Sequence, residues 1–293
     1  MLEDLKKAGE IAKKIRSEAE KLLKPGESIL YIVEYIEQKI IDLGGFPAFP
    51  VNISINNIAA HYTPTVNDNN VLKEGDVVKF DYGVHVNGYI IDTAFTIEIN
   101  DNKYKDLIEA SKQALDNVRK VIRKDIEISK IGEIIENTIE SFGYKPIYNL
   151  SGHKIEEYVL HAGINIPNYN NNSKTKLSEG IYAVEPFATN GSGYVKDYML
   201  SGIYSIISNK PIRDPNAKKL FNEIYEKYKT LPFAYRWLYK EYNGKINLKF
   251  AIEYLKRNGN IYEYPILIEQ SNGIVTQFET TFYIGNEVLD MMT

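Results

Sequence analysis

"KFDYGVHVNGYIIDTAF", residues 79–95, is the stretch from which the fold can be read. Two apolar runs flank Asn87-Gly88, a pair that favours a type I′ turn and therefore a tight hairpin. Such a turn sets the register, so Asp81 lies opposite Ala94, and Asp92 sits diagonal to Asp81 on the same face. Diagonal neighbours are about 7–8 Å apart at the backbone. A carboxylate on a half-buried strand is costly unless something satisfies it, and two that converge repel unless protons or cations intervene. Taken alone, the hairpin reads more simply as a sheet with one wet face and two solvated aspartates.

The flanking sequence alternates helices with strands. Helical spacing runs through Leu5, Ala8, Ile11, Ala12, Ile15, Ala19 and Leu22, until Pro25-Gly26 breaks it. A second helix is expected over residues 28–43, stopped by Gly44-Gly45. Further amphipathic helices follow over about 104–122 and in "IGEIIENTIESFG". "YVLHAGINIP", "GIYAVEPFAT" and "GIVTQFETTFYI" read as strands. Residues 205–262 differ: mostly helical, with 12 Lys and Arg against 5 Asp and Glu, in a chain whose net charge is −4. They read as an inserted subdomain between 1–204 and 263–293. An internal echo links "VLKEGDVVKFD" (71–81) with "KLSEGIYAVE" (176–185), each running Leu-x-Glu-Gly, strand, carboxylate.

Composition narrows the chemistry. There is no cysteine, which removes disulfides, thiolate metal sites and cysteine nucleophiles. The N-terminus is charged throughout, and no apolar run reaches the roughly 18 residues of a bilayer span, so the reading is a soluble cytoplasmic protein without membrane contact. Two of the four histidines, His153 and His161, lie in "SGHKIEEYVLHAG", and His61 closes "NNIAAHYTP". Glu185 in "YAVEPF" and Glu279 in "TQFETTF" are acids among apolar residues. Singly, each has a structural reading. As a set, four carboxylates and one imidazole would offset two divalent cations, and oxygen-rich ligation suits Mn, Fe, Co or Zn. His85, beside the hairpin turn, reads as structural.

In "PAFPVNISINNIAAHYTP", "DYGVHVNGYIIDTAF", "NLSGHKIEEYVLHAG", "AVEPFAT" and "TQFETTF", the chain resembles the methionine aminopeptidases of the type II, archaeal-like form. The resemblance implies an α/β (α+β) pita-bread fold: two pseudo-symmetric halves around a dinuclear metal site, with an inserted helical subdomain. It makes Asp81, Asp92, His153, Glu185 and Glu279 the metal ligands. Glu185 would also move the proton of the attacking water, while His161 would stabilise the tetrahedral oxyanion and His61 hold the substrate's N-terminal end. An apolar slot for methionine would be built from Phe49, His61, Leu160, His161, Phe187 and Tyr264. The substrates would be N-terminal Met peptides and nascent chains, cut by a monomer. The family's "FEHT" is "FETT" here, so Thr280 stands where a histidine is usual; tuning of the site is the expectation.

Two rivals remain. A prolidase or aminopeptidase P-like enzyme would share the ligand set, but the insert and the "AAHYTP" and "LHAGINIP" contexts favour methionine. A non-catalytic relative would use the fold for binding; such proteins typically lose ligands, and all five are present. The basic insert would also suit transient contact with ribosomal RNA, although a solvated lysine-rich face is the simpler reading.

Overall fold

The computed structural model describes residues 1–293. The first half runs α1 (Leu2–Leu22), α2 (Ile29–Asp42), β1 (Phe46–Ile55), β2 (Ile58–Ala60), β3 (Val77–Val86) and β4 (Tyr89–Glu98). The second runs α3 (Lys105–Arg119), α4 (Ile128–Ser141), β5 (Lys145–Pro146), β6 (Ser151–Ile155), β7 (Asn165–Pro167), β8 (Gly180–Val184) and β9 (Phe187–Thr189). After it come β10 (Val195–Ile206), α5 (Pro215–Tyr228), β11 (Phe233–Ala234), α6 (Tyr235–Tyr242), α7 (Leu248–Asn258) and β12 (Ile261–Glu269). The strands β13 (Val275–Gln277), β14 (Thr280–Ile284) and β15 (Val288–Asp290) close the chain.

The hairpin forms in the expected register, Asp81 opposite Ala94 and Gly83 opposite Asp92. Asn87 and Gly88 both take positive φ, 50° and 85°, as a type I′ turn requires. β1 joins its free side to give the order β1-β3-β4. Helix α1 covers this sheet with Leu5, Ala8, Ile11, Ala12 and Ile15, and α2 with Ile32, Val33, Ile36 and Ile40, and the Tyr82 hydroxyl donates to the Ala12 carbonyl at 2.7 Å.

The echo is a structural repeat. Before α2, the Gly26 N–H donates to the Leu72 carbonyl at 2.8 Å and the Leu72 N–H to the Glu27 carbonyl at 3.0 Å. Before α4, the Asp125 N–H donates to the Leu177 carbonyl at 2.9 Å and the Leu177 N–H to the Ile126 carbonyl, also at 2.9 Å. Gly26 and Asp125 share a positive φ, 85° and 64°. Each Leu-x-Glu-Gly segment therefore clips the start of one helix and then turns into a strand, β3 or β8, that leads to Asp81 or Glu185. This is the pseudo-symmetry of a pita-bread fold.

Three expectations need correction. "YVLHAGINIP" is a strand only at β7. Tyr158 and Gly163, at φ 57° and 93°, bend the chain before it, and the Tyr158 N–H is drawn to the Gly88 carbonyl at 2.9 Å. The other two strand-like runs are each split, into β8 and β9 and into β13 and β14. Segment 205–262 takes in the last residues of β10, which ends at Ile206, and the first of β12, which starts at Ile261, and these two strands pair with each other. Between them, α5, α6 and α7 enclose a separate apolar cluster that includes Leu220, Phe221, Ile224, Phe233, Leu238 and Ile252.

That outer cluster is fastened to the first half by a buried ion pair. Arg236 on α6 grips Glu37 on α2 with two bonds, at 2.7 and 2.9 Å. Its Nε donates to the Pro64 carbonyl, and the Trp237 indole N–H adds a third bond to Glu37 at 2.8 Å.

Candidate metal centre

Four carboxyl groups and an imidazole converge where the halves join. β8 and β14 pair within a five-stranded sheet, then both cross into a three-stranded one as β9 and β13. Glu185 and Glu279 occupy the crossings. Pro186, which has no N–H to give, ends the pairing beside Glu185. The Glu279 backbone is tied to β4 instead: its N–H donates to the Ala94 carbonyl at 2.9 Å, and its carbonyl accepts the Thr93 hydroxyl at 2.8 Å. The Asp92 N–H donates to the Thr281 hydroxyl at 2.8 Å. This seam sets Asp92 beside Glu279.

His153 arrives on β6. Its Nδ1 lies 3.4 Å from the Lys154 carbonyl, an arrangement in which Nδ1 carries the proton and Nε2 keeps its lone pair. Nε2 is 3.4 Å from Asp92 Oδ2 and 3.9 Å from Glu185 Oε1. One donor atom each from Asp92, His153 and Glu279 falls within 4.8 Å of the others.

The electrostatics are unfavourable without a cation. No lysine or arginine lines the cavity. Burial, and then the negative charges of their neighbours, hold the Asp81, Glu185 and Glu279 carboxyls well above the usual range. Burial pushes Asp92 up to about 7. Asp81 Oδ1 is buried without a partner, and one neutral amide, Gln277 Nε2, serves both Glu185 and Glu279 at 3.4 and 3.3 Å. Buried oxygens left unsatisfied, beside an imidazole with a free lone pair, are a donor set that fits divalent metal.

Every candidate named from the sequence lines one cavity of about 280 Å³. The five donors form one part. Phe49, His61, Leu160, His161, Phe187 and Tyr264 line another, together with Ala60, Ile203 and Pro232. Gly83 lets Phe49 approach, since a Cβ there would lie only 2.4 Å from its ring. His161 packs edge-on to His153 with ring centres 4.4 Å apart. His61 takes φ 65°, an unusual backbone state, and its Nδ1 sits 3.0 Å from the Pro265 carbonyl. Burial lowers all three histidines, His153 to about 4 and His161 to about 3, so their rings are neutral near pH 7.

His85 lies outside the cavity, stacked on Phe46 and accepting the Gly88 N–H at 3.3 Å. Thr280 also turns away: its hydroxyl donates to Asp290, because strand alternation puts it on the opposite face from Glu279. The expectation that it tunes the site finds no contact to act through. Two residues escaped the sequence reading, Gln277 and Asn52. Asn52 is paired across β1 and β3 with Asp81, and its Oδ1 is buried without a partner. Neutral amides carry no charge to balance; the available signal was Gln277 two residues before Glu279.

The profile of metallopeptidase family M24 matches residues 3–218. The methionine aminopeptidase of Pyrococcus horikoshii is 48% identical over 294 residues, covering 100% of this chain and 99% of its own. Among solved structures, a thermophilic Arx1 aligns at a TM-score of 0.85 and 18% identity over 99% of this chain and 90% of that one. Thermotoga maritima methionine aminopeptidase aligns at 0.69 and 21% identity, over 99% of this chain and 96% of that one. With most of its length matched by that profile and a full-length relative close to half identical, the chain belongs to metallopeptidase family M24.

Proposed function

We infer that this chain is a methionine aminopeptidase that releases the N-terminal methionine of peptides and nascent proteins by metal-dependent hydrolysis. The observation that carries the reading is the convergence of four carboxyls, Asp92 and Glu279 buried and Asp81 and Glu185 half-buried, with His153 in a cavity with an apolar wall. It occurs in a chain 48% identical to a methionine aminopeptidase along its whole length. Asp81, Asp92, His153, Glu185 and Glu279 would hold two divalent ions, drawn from Co, Mn, Fe or Zn. When bound, such ions supply Lewis acidity at the scissile carbonyl and acidify a water.

The chain's own groups supply the rest. Glu185 borders both the donor cluster and the Phe187 side of the cavity, and takes and returns the proton of the attacking water at a carboxylate oxygen. His161, neutral and turned to the cavity, donates to the carbonyl oxygen as charge develops there. His61, fixed by Pro265 and Tyr264, holds the substrate's N-terminal end. Phe49, Leu160, Phe187 and Tyr264 shape a slot for an unbranched, polarizable side chain. His161→Ala should lower kcat about 10²- to 10³-fold, the usual cost of losing an oxyanion donor, and hardly move KM. A loss confined to KM would contradict the role.

Metal should also bind more tightly as pH rises, because it displaces the protons that the raised carboxyls retain. Without metal, the four raised carboxyls bind more protons in the folded state than in the unfolded one from pH ~4 upward through pH ~7. Those carboxyls therefore destabilise the metal-free fold progressively as pH climbs through that window. The lowered histidines, and buried Lys79 at about 7, act in the opposite sense. The gain in Tm on adding Mn, measured against metal-free protein at the same pH, cancels groups outside the site. It should be larger at pH ~7.5 than at ~5.5; equal gains would contradict the coupling.

The identity of the released residue tests the function. Mn-loaded protein, given Met-Ala-Ser, Leu-Ala-Ser and Ala-Pro-Ser, should release methionine alone; cleavage only before proline would favour a prolidase-like enzyme. In the basic insert, Lys227 pairs with Glu241 and Lys256 with Glu253 and Glu263, which neutralises part of its positive charge within the chain.

A further inference from the structure

One strand beside the cavity has a side that no strand covers. β10 pairs with β12 along most of its length, but its other edge meets β11 only at Ile203 and Tyr204. The direction of that open edge follows from Val195, whose N–H and carbonyl are both held by the Asn149 side chain, at 2.9 and 2.8 Å. The Tyr194 carbonyl points the other way and accepts the Gln270 N–H. Pairing runs unbroken from Val195 opposite Glu269 to Asp197 opposite Leu267. Alternate residues of an antiparallel strand aim their backbone groups to the same side, so the Asp197 N–H and carbonyl face the edge that Asn149 occupies. Asn149 and Ile203 both line the cavity, so the open edge starts and finishes at its wall.

The side chains along it are unusual for a solvent-facing strand. Tyr198, Met199 and Leu200 are consecutive and 62%, 53% and 59% exposed. The register shifts between Asp197 and Leu200, and this irregularity is what lets neighbouring residues all face water. It also limits pairing to a short stretch, as protected edges usually do.

We propose that this edge docks the part of the polypeptide substrate that follows the scissile bond. The inference rests on the aminopeptidase reading. A chain that enters the cavity by its N-terminus must leave through the mouth with its remaining length. Along β10 it finds a free backbone donor and acceptor at Asp197, followed by an apolar strip for its side chains. The mode is addition of a short extended strand, with apolar or aromatic residues preferred several positions beyond the cut.

The test compares kcat/KM for Met-Ala-Ser with that for Met-Ala-Ser-Val-Leu-Tyr-Val. The longer peptide should be preferred about tenfold, chiefly through KM, which is the scale of burying one apolar side chain less its ordering cost. Tyr198→Ser with Leu200→Ser should cut the preference to about threefold or less. Methylating the third to fifth backbone nitrogens of the long peptide, one at a time, should lower it comparably at one position in the unaltered enzyme. No preference for length, or one that survives both changes, overturns the proposal. So does a variant that alters only self-association in sedimentation, which would mark the strip as a contact between copies. Failure to cut even Met-Ala-Ser would overturn the aminopeptidase reading and the substrate strip with it.

Discussion

Asp92→Asn should reduce methionine release by about a thousandfold or more, the scale expected when the charge balance of a catalytic metal site is broken, while making the metal-free protein more stable. Asp92 is the hub of the donor cluster. Its Oδ2 faces His153, and its charge is among the influences that raise Asp81, Glu185 and Glu279. Asparagine keeps the shape and removes the charge. In metal-free protein it relieves repulsion among buried carboxyls, so Tm near pH 7.5 should rise by a few degrees. The stabilisation by Mn should be largely lost. Thermal melts with and without Mn, alongside a peptide assay, read both effects. A variant that lost activity and metal-free stability together would point to a folding defect and count against the cluster as a cation site.

Arg236→Met should destabilise the chain by about 3–5 kcal/mol, because it strands the Glu37 carboxylate in a buried setting. For a protein of this size that is a fall in Tm on the order of 5–10 °C. Glu37 would keep the Val51 N–H and the Trp237 indole as donors but lose its only cation. The pair joins α6, just after Pro232, to the helix that precedes β1, and β1 carries Phe49. Both Pro232 and Phe49 line the cavity, so KM for methionine peptides should rise with the loss of stability. Glu37→Gln combined with Arg236→Met leaves no buried charge and should lose less than the single change. Equal losses would mean that packing, and not the ion pair, fastens the outer cluster.

The legible parts of this molecule are its local ones. The hairpin could be read to single-residue register because Asn87-Gly88 sets it within the strands' own sequence. Helices α1 to α4 follow from apolar spacing. The histidines and acids stood out because ionisable groups among apolar residues need a reason. What stayed hidden depends on distant residues. Pro186 marks a break beside Glu185, but nothing near Glu279 says that its strand changes sheets there, since the crossing is defined by the partner strand and by β4. β6 is five residues long and carries too little pattern to register. β10 has solvent on both faces where it bulges, so alternation is absent. Arg236 and Glu37 are 199 positions apart. The echo was visible as letters, but its meaning lay in the bonds of Leu72 and Leu177 to the helix starts.

The most direct measurement is methionine release from Met-Ala-Ser as Mn is titrated into chelator-stripped protein. Release should be absent in the stripped protein, appear with the first additions of metal and saturate by about two equivalents, the number that four carboxylates offset. Full release from stripped protein, or a metal-loaded protein that binds Mn and cuts nothing, would contradict a metal-dependent aminopeptidase.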